Sequence, residues 1–248
     1  MTSVGDKLFL LLERDKDQVA VYSTNDYQLL RHLKVPEYEP DEISDITSCV
    51  RRKCLYMSDN DNRCIHRYAL SSSATSEWLL SFEPFRLSVT PNGNLLVACR
   101  YPEQLFELSA ESGKQVRAIA LQEDIEYVRH GVQLANGQFV VCHAYFDSLH
   151  RVCMVDDDGR VTRSYGGTEG SGDGQLRCPC HLAVDEDSQL IFVADQLNDR
   201  VVVLSPTLQF VRYISEGIRL PHRLYSDQKT RRMYVAHQYN GDVIVIQL

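Results

Sequence analysis

The chain is expected to be all-β: a six-bladed β-propeller of four-stranded antiparallel blades. Three observations predict this. A unit of about 40 residues recurs, each unit holds short apolar runs of strand type, and glycine turns separate those runs. The clearest copy is residues 166–205, GGTEGSGDGQLRCPCHLAVDEDSQLIFVADQLNDRVVVLS. It reads as a glycine-rich turn, a Pro, a short strand, a second strand ending in Asp195, an Asn198/Arg200 turn and a third strand.

The other units follow the same order. First strands read ITSCV from Ile46, FRLSVT from Phe85, GVQLA from Gly131, LAVD from Leu182 and RLYSD from Arg223. Second strands are CLYMSD, LLVACR, FVVCHA, IFVAD and MYVAHQ, and third strands RCIHRY, QLFELS, RVCMV, RVVVLS and DVIVIQ. SEWLLSF, KQVRAIAL, RVTRSYG and LQFVRYIS supply fourth strands. Runs rich in Val, Ile, Leu and aromatics between turn residues suit strands. Asn92-Gly93, Asn136-Gly137 and Asp158-Gly159 fall between strands, where tight hairpins need positive φ.

At the N-terminus, KLFLLLERDKDQVAVYSTNDYQLLRHLKV shows the second to fourth strands of a further unit, and the last unit stops after its third strand at Leu248. The sum is about six blades, with a seam at the termini one or two strands short of closure. Closed propellers complete a blade from both ends, which removes exposed edges. Here either the first residues fold into the seam, or the chain is a fragment, or the ring is unusually open.

The composition, 44% hydrophobic and 24% charged over 248 residues, supports one domain spanning residues 1–248. A net charge of -8 argues against nucleic acid or anionic membrane bound over the whole surface, while leaving room for a local basic face. No signal-peptide pattern and no apolar run near the ~18 residues of a membrane span is present, so a cytoplasmic protein without a membrane or DNA partner is expected. Of the eight cysteines, Cys99, Cys142 and Cys153 sit in apolar strand runs and read as reduced core thiols. Cys178-Pro179-Cys180 lacks the CxxC spacing and a partner pair for structural zinc.

The run GxxGxGDGQxxxPxxLAVD to VADxxNxRVVVL resembles an NHL repeat, and the whole chain resembles an NHL-type six-bladed propeller. The match is most specific in the fifth unit. Elsewhere Pro84 and Pro221 keep the leading proline, and Asn62-Arg63 approximates the turn. The resemblance implies that Asp195, Asn198 and Arg200 form a structural turn. It also implies a role like that of the C-terminal NHL domains of tripartite-motif proteins, which recruit protein or RNA targets. No RING, B-box or coiled coil is present to carry over ligase activity.

In a propeller, the loops leading into first strands and those joining second to third strands share one face. The first set gives Ser44 and Asp45, Phe85 and Arg86, Arg129 and His130, Cys180 and His181, and His222 and Arg223. The second gives Glu13, Asp59, Arg100, His143, Asp195 and His237, with Tyr101, Tyr145, Phe146 and Tyr239 nearby. Arg forks and flat aromatic faces suit carboxylates, phosphates or stacked bases. The candidate ligand-binding face is therefore Arg86, Arg100, Arg129, His130, His143, Tyr145, Phe146, His181, His222, Arg223 and His237. Arg51-Arg52-Lys53 and residues 229–232, on the opposite side, read as solubilising charge. The acidic 37–45 stretch reads as a solvated connection that could also fold over the upper face.

Three functions compete. A non-enzymatic module could dock a protein or peptide, with the 143–151 loop as anchor. Single-stranded RNA could stack on Tyr145 or Phe146 while Arg86, Arg100, Arg129 and Arg223 meet phosphates, although Glu13, Asp45, Asp59 and Asp195 dilute the basic face. A metal-dependent lyase or hydrolase could use His130, His143, His181, His222 and His237. NHL-like propellers include a peptide-amidating lyase with histidine-bound zinc, but no HExxH or nucleophile elbow is present here. The binding module is the leading expectation, with no catalytic residue, metal or cofactor assigned.

Overall fold

The computed structural model describes residues 1–11, 18–34, 43–144, 149–238 and 241–248. Among these are 23 strands in six antiparallel sheets and one 3-10 turn, Gln196–Asn198. The first sheet holds β1 (Thr2–Val4), β2 (Lys7–Leu11), β3 (Gln18–Ser23) and β4 (Leu29–Lys34). The second holds β5 (Ile43–Cys49), β6 (Cys54–Asp59), β7 (Cys64–Ala69) and β8 (Thr75–Leu79). The third holds β9 (Arg86–Val89), β10 (Leu95–Cys99), β11 (Gln104–Leu108) and β12 (Gln115–Ala120). The fourth holds β13 (Val128–Gln133), β14 (Phe139–His143), β15 (His150–Val155) and β16 (Val161–Gly167). The fifth holds β17 (Pro179–Val184), β18 (Ile191–Asp195), β19 (Arg200–Leu204) and β20 (Phe210–Ile214). The sixth has three strands among the described residues, β21 (Pro221–Asp227), β22 (Arg232–His237) and β23 (Val243–Gln247).

The chain divides into two compact units. One comprises Met1–Pro102 with Phe106–Arg117, the other Glu103–Leu105 with Ala118–Leu248. Within each, every sheet is an up-and-down meander with strands in sequence order.

The N-terminal blade differs from the sequence reading, which found only three of its strands. Thr2–Val4 pairs with β2 in the register Thr2↔Phe9 and Val4↔Lys7, turning at Gly5 with φ +68°. Three residues are too few to show a strand period, which is why this strand was not visible in the sequence. First strands also begin earlier than their apolar runs. Register shifts between Ile43 and Asp45, Val128 and His130, Pro179 and His181, and Pro221 and Arg223 insert a bulge residue at the start of four of them.

The core explains why the second strands read as unbroken apolar runs. In the first unit, Leu55 and Met57 of β6 pack with Phe9, Val19 and Val21 of the first sheet. The intervening Tyr56 packs with Leu95, Val97 and Leu108 of the third. In the second unit, Ile191 and Val193 of β18 join Val140 and Cys142, whereas Phe192 and Ala194 join Met233 and Val235. Side chains alternate between two faces and both faces are covered, so apolar residues are needed at every position. Tyr56 retains its polar group because its buried hydroxyl donates to the Ala110 carbonyl at 2.7 Å.

Gly93, Gly137 and Gly159 stand at positive φ in the three hairpins the sequence marked. A Cβ on Gly93 would meet nothing within 4 Å, whereas one on Gly159 would lie 1.7 Å from the Ala120 carbonyl oxygen. Gly93→Ala should therefore cost only the left-handed penalty, about 1–2 kcal/mol, and Gly159→Ala clearly more. Urea unfolding midpoints of the two variants check the ranking. Equal losses would mean that the backbone at Ala120 yields.

Candidate functional site

In the second, fourth and fifth sheets the end of the second strand carries a polar residue directly opposed to the start of the third strand. In the fifth sheet Asp195 faces Arg200. The Asp195 carboxylate accepts from the Arg177 backbone N–H at 2.6 Å, Asn198 Nδ2 at 2.8 Å and Arg200 Nε at 2.7 Å. Arg200 also donates to the Ser171 and Gln175 carbonyls, and Asn198 to that of Gly170, so this trio pins the glycine-rich loop. Burial pushes the Asp195 carboxyl up, opposed by these donors.

The fourth sheet keeps the arginine and replaces the acid. His143 faces Arg151, whose Nε donates to His143 Nε2 at 2.9 Å, while Arg151 Nη2 reaches Asp124 at 2.5 Å. His143 therefore carries its proton on Nδ1, 3.2 Å from the Glu126 carbonyl. Burial, reinforced by the Arg151 charge, holds its pKa down at about 4. Cys153 Sγ lies 3.7 Å from the same Nε2, with its thiol pushed up to about 12 by burial. A neutral imidazole already accepting from arginine beside a protonated thiol does not make an activated nucleophile.

In the second sheet the acid stays and the arginine is lost. Asp59 faces Cys64, and Arg63, the residue that approximated the turn in the sequence, instead pairs with Glu83 at 3.0 Å. Asp59 accepts from the Asn62 N–H at 2.9 Å and from Asn62 Nδ2 at 3.1 Å, and its Oδ2 is 3.2 Å from His66 Nε2.

The first strands carry a second set of equivalent positions: Asp45, Arg86, His130, His181 and Arg223, opposed to Ser58, Ala98, Cys142, Ala194 and Ala236. Asp45 Oδ2 accepts the Leu87 N–H at 3.0 Å, His130 Nδ1 that of Leu182 at 3.3 Å and His181 Nδ1 that of Leu224 at 3.4 Å. Each bond joins one sheet to the first strand of the next. All three acceptors are buried, and the His130 and His181 rings stack at 3.9 Å. The sequence reading assigned both histidines to the ligand-binding face. Their local pattern, a polar residue just before a fully apolar strand pair, was the available signal for an interior role.

A half-buried polar belt remains in the second unit. The Arg129 guanidinium lies over Tyr127 at 4.9 Å and donates through Nη2 to Cys178 Sγ at 3.7 Å. Cys178 Sγ is 3.4 Å from Gln196 Oε1, and Gln196 Nε2 contacts His222 Nδ1 at 3.0 Å and Gln238 Oε1 at 2.9 Å. Arg223 donates to the His222 carbonyl at 3.1 Å, and His237 Nε2 accepts from the Arg219 N–H at 3.3 Å. In the first unit, Arg86 and Arg100 both lie over Phe85, at 4.3 and 3.4 Å, and Arg86 also donates to the Ser44 carbonyl. Glu13, Tyr145, Phe146, Tyr239 and residues 37–42 of the acidic stretch lie outside the described residues. Asp45, Asp59 and Asp195 are each buried and hydrogen-bonded. They therefore do not dilute an exposed basic face as the sequence suggested.

The sequence matches no protein-family model and no curated protein. Solved structures do match. A chain of the nidogen/laminin complex superposes with a TM-score of 0.78 at 15% identity, covering 98% of this chain and 89% of that one. Hydrazine synthase of Kuenenia stuttgartiensis gives 0.69 at 13%, covering 100% and 94%. Virginiamycin B lyase of Staphylococcus aureus gives 0.67 at 12%, covering 99% and 83%. The fold is a six-bladed β-propeller. At these identities the likeness extends to the fold alone. All eight cysteines are free thiols, and no helix among the described residues is long and apolar enough to cross a membrane.

Two outcomes follow from the turns. Asp195→Ala leaves Arg200 without its carboxylate and should cost about 3–5 kcal/mol, read from urea midpoints; an unchanged midpoint would remove the turn from the stabilising set. For His143, the folded pKa of about 4 lies below the ordinary 6.5, so the unfolded chain takes up the proton first. Its contribution is whole above pH ~6.5 and falls by about 3 kcal/mol as pH drops toward 4. His143→Gln should flatten that part of the stability–pH curve, and an unaltered curve would show that other groups govern it.

Proposed function

We propose that this propeller is a non-enzymatic interaction module of NHL type. It binds a protein or peptide partner through acidic groups docked on the face of the second unit that carries Arg129, Cys178, Gln196, His222 and Arg223. The observation that carries this reading is Arg129. Its guanidinium has no carboxylate partner among the described residues, its Nε is buried without an acceptor, and its remaining contacts are an aromatic face and a weak sulfur acceptor. A half-buried cation in that state gains from an incoming carboxylate, because charge-assisted bonds strengthen where water is thin. Gln196, His222 and Gln238 supply neutral hydrogen-bonding groups beside it, a combination suited to peptide side chains and backbone.

The second-strand histidine does not support an enzymatic reading, since both His143 nitrogens are engaged. Virginiamycin B lyase lends only its fold. The nidogen/laminin structure is of a protein complex, which agrees with a propeller used for docking. Free thiols in every described cysteine support a reducing, cytoplasmic setting.

The test is a pull-down from cell extract using wild-type protein and Arg129→Ala, with and without nuclease, followed by a salt titration of whatever is recovered. The expected result is a nuclease-resistant partner whose affinity falls roughly tenfold or more in the folded variant, as for a hydrogen bond to a charged group worth about 1.5–3 kcal/mol. Nuclease-sensitive recovery with steep salt dependence would replace the protein partner by single-stranded RNA. Undiminished binding by Arg129→Ala would remove this face from the function.

A further inference from the structure

We propose that Asp59, Cys64 and His66 of the second sheet form a structural site for a zinc-class divalent cation. Cys64 and His66 are two apart on β7 and so point to one side of the sheet, while Asp59, at the end of β6, is directly opposed to Cys64. Cys64 Sγ is 3.1 Å from His66 Nε2, His66 Nε2 is 3.2 Å from Asp59 Oδ2, and all three ligand atoms lie within 4.8 Å of one another. Around an ion with bonds of about 2.0–2.3 Å, tetrahedral ligand atoms lie roughly 3.4–3.6 Å apart. The cluster therefore needs only a slight outward movement to admit an ion.

Charge balance points the same way. At this register the fifth sheet supplies Arg200 to neutralise Asp195, but here the position is Cys64 and the neighbouring Arg63 pairs with Glu83. Asp59 is fully buried, and its ion-pair partner among the described residues is His66. A dication held by the Asp59 carboxylate, the Cys64 thiolate and a neutral His66 leaves no net charge in a dry site, with the thiol proton released to buffer on binding. Asn62 holds both Asp59 oxygens, the outer support that orients a metal-binding carboxylate. Three protein ligands leave one tetrahedral position for water or another donor, and burial of all three keeps bulk solvent away from the ion. The metal would occupy the place that a guanidinium fills in the fifth sheet.

Titrating the metal-free full chain with Co2+ tests this. The expected result is a thiolate-to-cobalt charge-transfer absorption saturating at one equivalent, displaced by Zn2+, together with a rise in Tm on adding Zn2+. Folded Cys64→Ser and His66→Gln should lose both signals, and Asn62→Ala should weaken Zn2+ binding roughly 10–100-fold. A folded wild-type protein without the absorption, or absorption that persists in Cys64→Ser, would overturn the assignment. If the ligand variants unfold, Cys64→Arg offers the carboxylate a guanidinium as in the fifth sheet. It should fold and give no absorption, and absorption in that variant would equally overturn the site.

Discussion

The structure depends on how one blade is fastened to the next. Inside a blade the backbone ladder satisfies its own N–H and C=O groups, but among the described residues no such ladder joins one blade to its neighbour, and buried backbone groups must still find partners. Leu87, Leu182 and Leu224 find theirs in side chains of the preceding blade: Asp45, His130 and His181. A carboxylate and two imidazoles perform the same task, since all that is required at that register is an acceptor of the right reach. Apolar packing on both sides of the second strands supplies the bulk of the adhesion, and these bonds set the alignment.

The turns show similar economy. Asp195 with Arg200, His143 with Arg151, and Asp59 with Asn62 and His66 are three chemical solutions at corresponding places in the blades. In each, the acid or imidazole at the end of the second strand is buried and hydrogen-bonded. A chain with a net charge of -8 can thereby keep several of its acids inside and present Arg129 and Arg223 on a half-buried belt. Overall charge is a poor guide to the sign of a local surface where acids are used as internal fasteners.

The blades were legible because their physical demands are local. A strand covered on both faces must be apolar along its covered length, as IFVA and FVVC are, and a hairpin at positive φ calls for the glycine that follows Asn92, Asn136 and Asp158. Thr2–Val4 was not legible, being shorter than any period. Nor were the roles of His130 and His181, because a histidine beside a strand looks the same whether it faces a ligand or accepts an N–H from a residue more than forty positions away. The Asp59–Cys64–His66 cluster was hidden for a related reason. Its members belong to two strands, and only their pairing register reveals that Cys64 stands where the fifth blade has arginine.

The alternation along β6 and β18 has a consequence for how such a chain can change. Each of these strands serves two cores at once, Leu55 and Met57 on one side against Tyr56 on the other, and Val193 against Phe192. A one-residue insertion or deletion within such a strand would exchange the two sets and spoil both neighbouring layers together. A change of length costs least at the hairpin tips and connecting loops, which belong to neither layer. Such strands are fixed in length by both neighbours at once, and the loops between them carry the freedom to change.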